Sequence, residues 1–209
     1  MPATFLDRHL AMTLTYDRLA VILIASLRRW GLITEKILPS LFHQGFDDIL
    51  VVGDFCPGEG YRYLPVPKIT GTTVDALIKR DVGTLATEAD VLVYLSDDHM
   101  LSPNFGAILR QAFVPMFREN KVDVLVPGRS VWYIDKKIPL NMGQAEAYCG
   151  GHAGVFHRRV IQAMPWTTGP HHPNWDLLIS HEHQRRGFSY LYSDVLEVWD
   201  VEPEGRPWE

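Results

Sequence analysis

Three short stretches of this chain are apolar on every side: residues 19–25 (LAVILIA), 49–52 (ILVV) and 91–95 (VLVYL). A strand with one solvated face alternates apolar and polar residues, so runs like these fit strands buried on both faces of a parallel sheet. Between the first two, residues 28–42 carry Leu32, Ile33, Ile37, Leu38 and Leu41 near helical spacing, and Gly45 can end that helix. Residues 73–89 read the same way, with Thr73 as cap and Val74, Leu77, Ile78, Val82 and Leu85 on the apolar side. A further helix over 103–117 and a strand over 122–127 continue the alternation, which predicts an α/β fold: a mostly parallel central sheet flanked by helices.

The second half is less regular. Residues 56–71, rich in Pro and Gly, form a loop with one short strand at 61–66. The pattern then predicts a strand over 131–138, a loop or short helix over 142–151, and an apolar stretch at 153–156 entering a helix over 158–164. A loop over 165–173 follows, then a helix over 175–186 ended by Gly187, and strands over 188–192 and 195–198. No repeat or linker divides the 209 residues, so one domain, 1–209, is expected. The longest apolar run, 19–27, falls well short of the roughly 20 residues that span a membrane. Asp7, Arg8, Asp17 and Arg18 ahead of it do not make a signal peptide. Cys56 and Cys149 form no CxxC pair, as in a reducing compartment. Together these point to a soluble, cytoplasmic chain. Its net charge of -5 gives no general field for phosphate backbones, although a local basic groove can survive inside an acidic total.

Ligands of open α/β sheets bind outside the carboxyl ends of the strands, where loops diverge and helix N-termini point outward. Two of those ends carry acids here: Asp54 after the second strand, and Asp97-Asp98-His99 after the third. Carboxylates emerging from buried strands cost desolvation energy unless a cation or hydrogen-bonding ligand compensates, so this tip suggests a divalent metal. The alternative is an Asp capping the helix that restarts at Pro103. Other chemistries lack their motifs: there is no GxxxxGK[ST] or GxSxG, and Gly58-Glu59-Gly60 lacks the third glycine of GxGxxG. His181-Glu182-His183 places its histidines at i and i+2, on opposite sides of a helix, where a zinc box needs i and i+4.

The run AVILIASLRR, then ILPSLFHQGFDDILVVGD, then ALIKRDVGTLATEADVLVYLSDDHMLSP resembles the nucleotide-binding half of GT-A glycosyltransferases, especially family 2. Lys79-Arg80-Asp81-Val82-Gly83 stands where that family has its ARN-x-G helix. Cys149 to Arg159 (CGGHAGVFHRR) is similar to its glycine loop and following Arg, and Asn174-Trp175-Asp176-Leu177 ahead of Arg185-Arg186-Gly187-Phe188 to its W-x-ED and R-G segments. The likeness covers about residues 19–200, with a nucleotide-sugar half at 19–128 and an acceptor half at 129–200.

The resemblance implies a transfer from a nucleotide-diphosphate sugar, UDP-linked, to an acceptor hydroxyl on a glycan, a small molecule or a modified nucleic-acid base. Asp54 would accept from the nucleobase. Arg80, Asp97, Gly150 and Gly151 would lie at the donor, and Asp97, Asp98 and His99 would hold Mn²⁺ or Mg²⁺ against its diphosphate. Asp176 would be the base that deprotonates the acceptor for an inverting displacement. Two metal registers stay open, Asp98 with His99 or Asp97-x-His99, and Asp176 can equally be read as a helix cap. For a further ligand the C-terminal strand end offers Asp200, with His152, His157, His181 and His183 as other candidates. Trp132, Tyr133, Trp166, His171, His172 and Trp175 lie where an acceptor would bind, although core packing fits Trp132 and Trp166 as well. A sugar-phosphate nucleotidyltransferase should show a glycine-rich loop after the first strand, and Ser26-Leu27-Arg28-Arg29 has no glycine. A non-catalytic module that binds sugar nucleotides remains an alternative.

Overall fold

The computed structural model describes residues 17–26, 29–54, 59–68, 72–133, 136–139, 153–169 and 175–201. The three apolar runs become β1 (Leu19–Ile24), β2 (Asp48–Gly53) and β4 (Val91–Ser96), with β3 (Arg62–Pro65) at the edge. All four are parallel, in the spatial order β3-β2-β1-β4. Alternate residues of β1 feed opposite sides. Leu19, Val21 and Leu23 pack under α1 (Trp30–Leu32, Ile33–Ile37 and Leu38–Leu41 in succession) with Ile33, Ile37 and Leu41. Ala20, Ile22 and Ile24 pack beneath α2 (Thr72–Ala86) with Leu77. This two-sided burial is why the runs show no alternation, and each fully buried Leu, Ile or Val contributes about 1.5–3 kcal/mol.

After β4 the chain turns through Asp97 and Asp98 into β5 (His99–Leu101) and then α3 (Phe105–Ile108, Leu109–Phe113 and Val114–Arg118). In both α1 and α3 a wide π-type segment directly precedes a proline-bearing turn, at Pro39 and Pro115. Widening the turn lets each helix run on past a residue that cannot donate to the ladder.

The second half adds β6 (Val124–Tyr133), β7 (Lys136–Pro139), β8 (Ala153–His157), α4 (Arg158–Ala163), a 3₁₀ turn (Trp166–Thr168), α5 (Trp175–Arg185) and β9 (Tyr190–Asp200). β8 runs antiparallel to β4 and β6, β9 parallel to β6, and β5 antiparallel to β9, so the full sheet is mixed. The single strand expected over 131–138 is the β6–β7 hairpin, and the two terminal strands expected are one, β9. Its pairing with β6 shifts register between Pro127 and Gly128, next to a residue that cannot donate to the ladder.

Candidate functional site

In β1, β2 and β4 the parallel registers align Ile24 with Val52 and with Ser96, so the carboxyl ends of the three strands finish side by side. There Ser26, Asp54 and Asp97 share an open cleft of about 540 Å³. The strand ends anticipated from the sequence therefore do converge.

The acidic tip is densely bonded. Asp97, nearly buried, accepts from the Ser26 hydroxyl and lies 2.7 Å from Arg29 Nη1. The same guanidinium nitrogen lies 2.8 Å from Asp98 Oδ2. His99, which follows the third strand in the sequence, itself opens a short strand in register with Asp200. Its Nδ1 lies 2.5 Å from Asp98 Oδ1 and its Nε2 2.8 Å from Asp200 Oδ1. The Val201 N–H donates to the Asp98 carbonyl (2.7 Å), which fixes the turn between the two strands.

The charges follow from this geometry. Burial works against a positive His99, but its bonds to Asp200 and Asp98 outweigh burial and hold its pKa above the ordinary imidazole value. Burial would raise Asp98, yet the His99 bond and charge, with Arg29, draw it below the usual carboxylate range. Burial likewise opposes the Arg29 charge, and the Asp97 and Asp98 carboxylates more than restore it.

These donors have the chemistry for Mn²⁺ or Mg²⁺, being carboxylate oxygens plus an imidazole, with Asp200 as a further carboxylate behind. In the arrangement seen they are bonded to Arg29 and to one another, and among the described residues no three His, Cys, Asp or Glu side chains form a metal-holding group.

Helix α2 forms the opposite wall. Lys79, buried, donates to the Ala25 carbonyl (2.9 Å) and stands 3.9 Å from Asp54 Oδ1. Arg80 packs behind that wall, its Cζ 4.9 Å from the ring centroid of Trp175 and 5.4 Å from that of Trp166. Asp81 accepts from the Trp166 and Thr167 backbone N–H groups and from the Thr167 hydroxyl. Three consecutive residues thus reach the cleft, the aromatic pair and the 3₁₀ turn, fastening the second half of the chain to the first. Gly83 lets this helix lie close to the sheet, since a Cβ there would come within 2.4 Å of Ile22 Cγ2.

Trp166 and Trp175 are therefore core residues supporting Arg80, not open platforms for an acceptor. Asp176 lies in the first turn of α5, and its Oδ1 accepts the Leu177 N–H (2.9 Å). Because Trp175 packs on Arg80, the start of α5 is docked behind the helix that walls the cleft, and Asp176 is not among the described residues that line the cleft. His157 caps α4, accepting from the Arg159 N–H, and His183 is buried among Phe156, Trp166 and Phe188. His181 is exposed. Gly150, Gly151, His152, His171 and His172 lie outside the described residues, as do the side chains of Trp132 and Tyr133. Sequence reasoning missed Arg29 and Lys79 as cleft residues. Their signal was present only as cations flanking the first strand end and inside the KRDVG run.

The sequence matches no family model and no curated protein. Among solved structures, GalNAc-T7, crystallised with UDP, GalNAc and Mn²⁺, aligns with a TM-score of 0.65 at 13% identity, over 90% of this chain and 44% of that one. The chain thus spans less than half the length of that neighbour, and at such identity the likeness establishes the fold. No helix among the described residues is long and apolar enough to cross a membrane. The curled mixed sheet, its parallel β3-β2-β1-β4 half and the flanking helices make this chain an α/β domain of the GT-A, Rossmann-like fold.

Proposed function

We propose that the chain is a cytoplasmic, family 2-like glycosyltransferase that takes a nucleotide-diphosphate sugar, UDP-linked, with Mn²⁺ or Mg²⁺, and passes the sugar to an acceptor hydroxyl with inversion. The observation that carries this reading is the convergence of Asp54, Asp97 and Asp98 with Lys79 in one cleft at the carboxyl edge of the parallel strands. A GT-A neighbour crystallised with UDP and Mn²⁺ supports it.

In this reading Asp54 accepts from the nucleobase. Lys79, already turned to the cleft, adds positive charge beside it. Asp97, Asp98 and His99 would hold the divalent ion, which when bound neutralises charge on the diphosphate leaving group. Arg80 acts from behind the wall, keeping Trp166 and Trp175 in place. Gly150 and Gly151 keep the part at the donor that the family resemblance implies. Asp176 takes the proton from the acceptor hydroxyl, which then attacks the anomeric carbon as the nucleotide departs from the opposite face. The acceptor is a hydroxyl on a glycan, a small molecule or a modified nucleic-acid base.

Incubating the chain with UDP-sugars and Mn²⁺ tests the reading. Release of UDP supports transfer, release of pyrophosphate supports nucleotidyl transfer instead, and binding without turnover supports a sugar-nucleotide-binding module.

A further inference from the structure

Asp97 and Asp98 are consecutive carboxylates at the end of a buried strand, and two negative charges so placed require a cation nearby. The chain supplies one. A single nitrogen of Arg29, Nη1, lies 2.7 Å from Asp97 Oδ1 and 2.8 Å from Asp98 Oδ2, bridging the two side chains from within the cleft. The other oxygen of Asp97 takes the Ser26 hydroxyl, and the other oxygen of Asp98 faces His99 Nδ1. All four carboxylate oxygens of the pair are therefore engaged by the protein itself.

We infer that Arg29 is the resident counter-cation of this tip, and that a divalent ion reaches Asp97 and Asp98 only by displacing its guanidinium. The inference borrows the divalent ion from the proposed function but none of the transfer chemistry. A divalent ion draws on oxygens of the same carboxylates, and its charge repels the guanidinium already seated between them, so ion and guanidinium compete for the tip. A guanidinium does not lose its proton near neutral pH, so it leaves by moving and not by titrating. Arg29 has solvent beside it to enter: its side chain is 23% exposed, and it precedes the first turn of α1 on the wall of the cleft. Metal uptake is then an exchange, and its apparent affinity is reduced by the population of the Arg29-closed state.

The test uses the full chain with Mn²⁺ alone, free Mn²⁺ being counted by electron paramagnetic resonance. Arg29→Gln should bind Mn²⁺ at least about tenfold more tightly than the wild type, the lower end expected for releasing the charge-assisted contacts to Asp97 and Asp98. Adding Asp98→Asn to that variant should abolish the gain. Equal or weaker binding by Arg29→Gln overturns the inference, and so does a gain that survives Asp98→Asn or no uptake by either protein. A second measurement needs no variant. The Arg29 guanidinium ¹⁵N resonances of the wild type should shift along the same saturation curve as Mg²⁺ uptake. Resonances that stay still while Mg²⁺ binds would equally overturn the inference. No nucleotide enters either experiment, so failure here is read separately from failure of the transferase reading.

Discussion

His99 Nε2 and Asp200 Oδ1 lie 2.8 Å apart, joining the turn after β4 to the end of β9, the last of the described strands. The two residues are cross-strand partners, 5% and 4% exposed, and the contact helps to raise the imidazole pKa above its ordinary value against the opposing effect of burial. A raised folded pKa gives stability that is fully present below the unfolded value of 6.5 and is lost as pH rises through the folded value. Asp200→Asn should therefore cost about 1.5–3 kcal/mol at pH 6, with the deficit shrinking at pH 9. Urea unfolding at the two pH values measures this, and an equal deficit at both would contradict it.

His183 behaves in the opposite sense. Burial, and then the positive Arg186, push its pKa down to about 4, and its Nδ1 lies 2.9 Å from the Tyr190 hydroxyl. The neutral ring fits the aromatic cluster and the charged ring does not. Stability from this group is present above the unfolded 6.5 and falls away as pH drops toward 4. Replacing His183 by Leu should flatten the acid limb of a stability–pH curve by about 3 kcal/mol across that window. An unchanged limb would show that protonation of this ring is not coupled to unfolding.

Gly83→Ala should destabilise by about 1–3 kcal/mol, because the new methyl meets Ile22 Cγ2 at 2.4 Å and Val52 Cγ2 at 3.2 Å in a packed interface. Combined with Ile22→Ala, the loss should be less than the sum of the single losses, since the second change opens the space that the first one fills. Thermal melts of the four proteins complete the cycle, and strict additivity would contradict the close approach of α2 to the sheet.

Asp176→Asn should leave UDP binding within about twofold and lower turnover by a factor of about 10² to 10⁴, the range for removing a general base. The amide keeps an oxygen to accept the Leu177 N–H, so the start of α5 should hold its shape. Steady-state rates beside a melting curve separate the two roles. A variant that melts early yet turns over normally points to a helix cap rather than a base.

What the sequence disclosed, and what it hid, follows from how far each feature depends on local pattern. The strands over 19–24, 48–53 and 91–96 are legible because burial on both faces leaves them uniformly apolar, and parallel pairing then fixes where Asp54 and Asp97 emerge. Strand β5 is three residues long and follows the acid tip at once, so it has no periodicity to read; only its pairing with β9 makes it a strand. Asp200 could be named from its place at a strand end, but its contact with His99 requires β9 to return beside β5. Arg29 and Lys79 were hidden for a related reason. Whether a cation near a strand end faces the cleft depends on the path of the loop and the rotation of the helix. Lys79 and Arg80, one residue apart on α2, go to different neighbours. For Trp166 the local pattern allows an acceptor platform and core packing alike, and for Trp175 at a helix start it leaves the burial open; both are buried because Arg80 and Asp81 reach across from the first half to hold them.

In the proposed function the cleft between Asp54 and Asp98 receives a nucleotide diphosphate with the help of a divalent ion. Calorimetric titration of UDP into the protein, with and without Mn²⁺, and into Asp98→Ala under the same conditions, tests it most directly. The expected result is saturable uptake that strengthens at least about tenfold with Mn²⁺, and loss of that Mn²⁺ effect in Asp98→Ala. Uptake that ignores both the ion and the substitution, or no uptake under any condition, would contradict it.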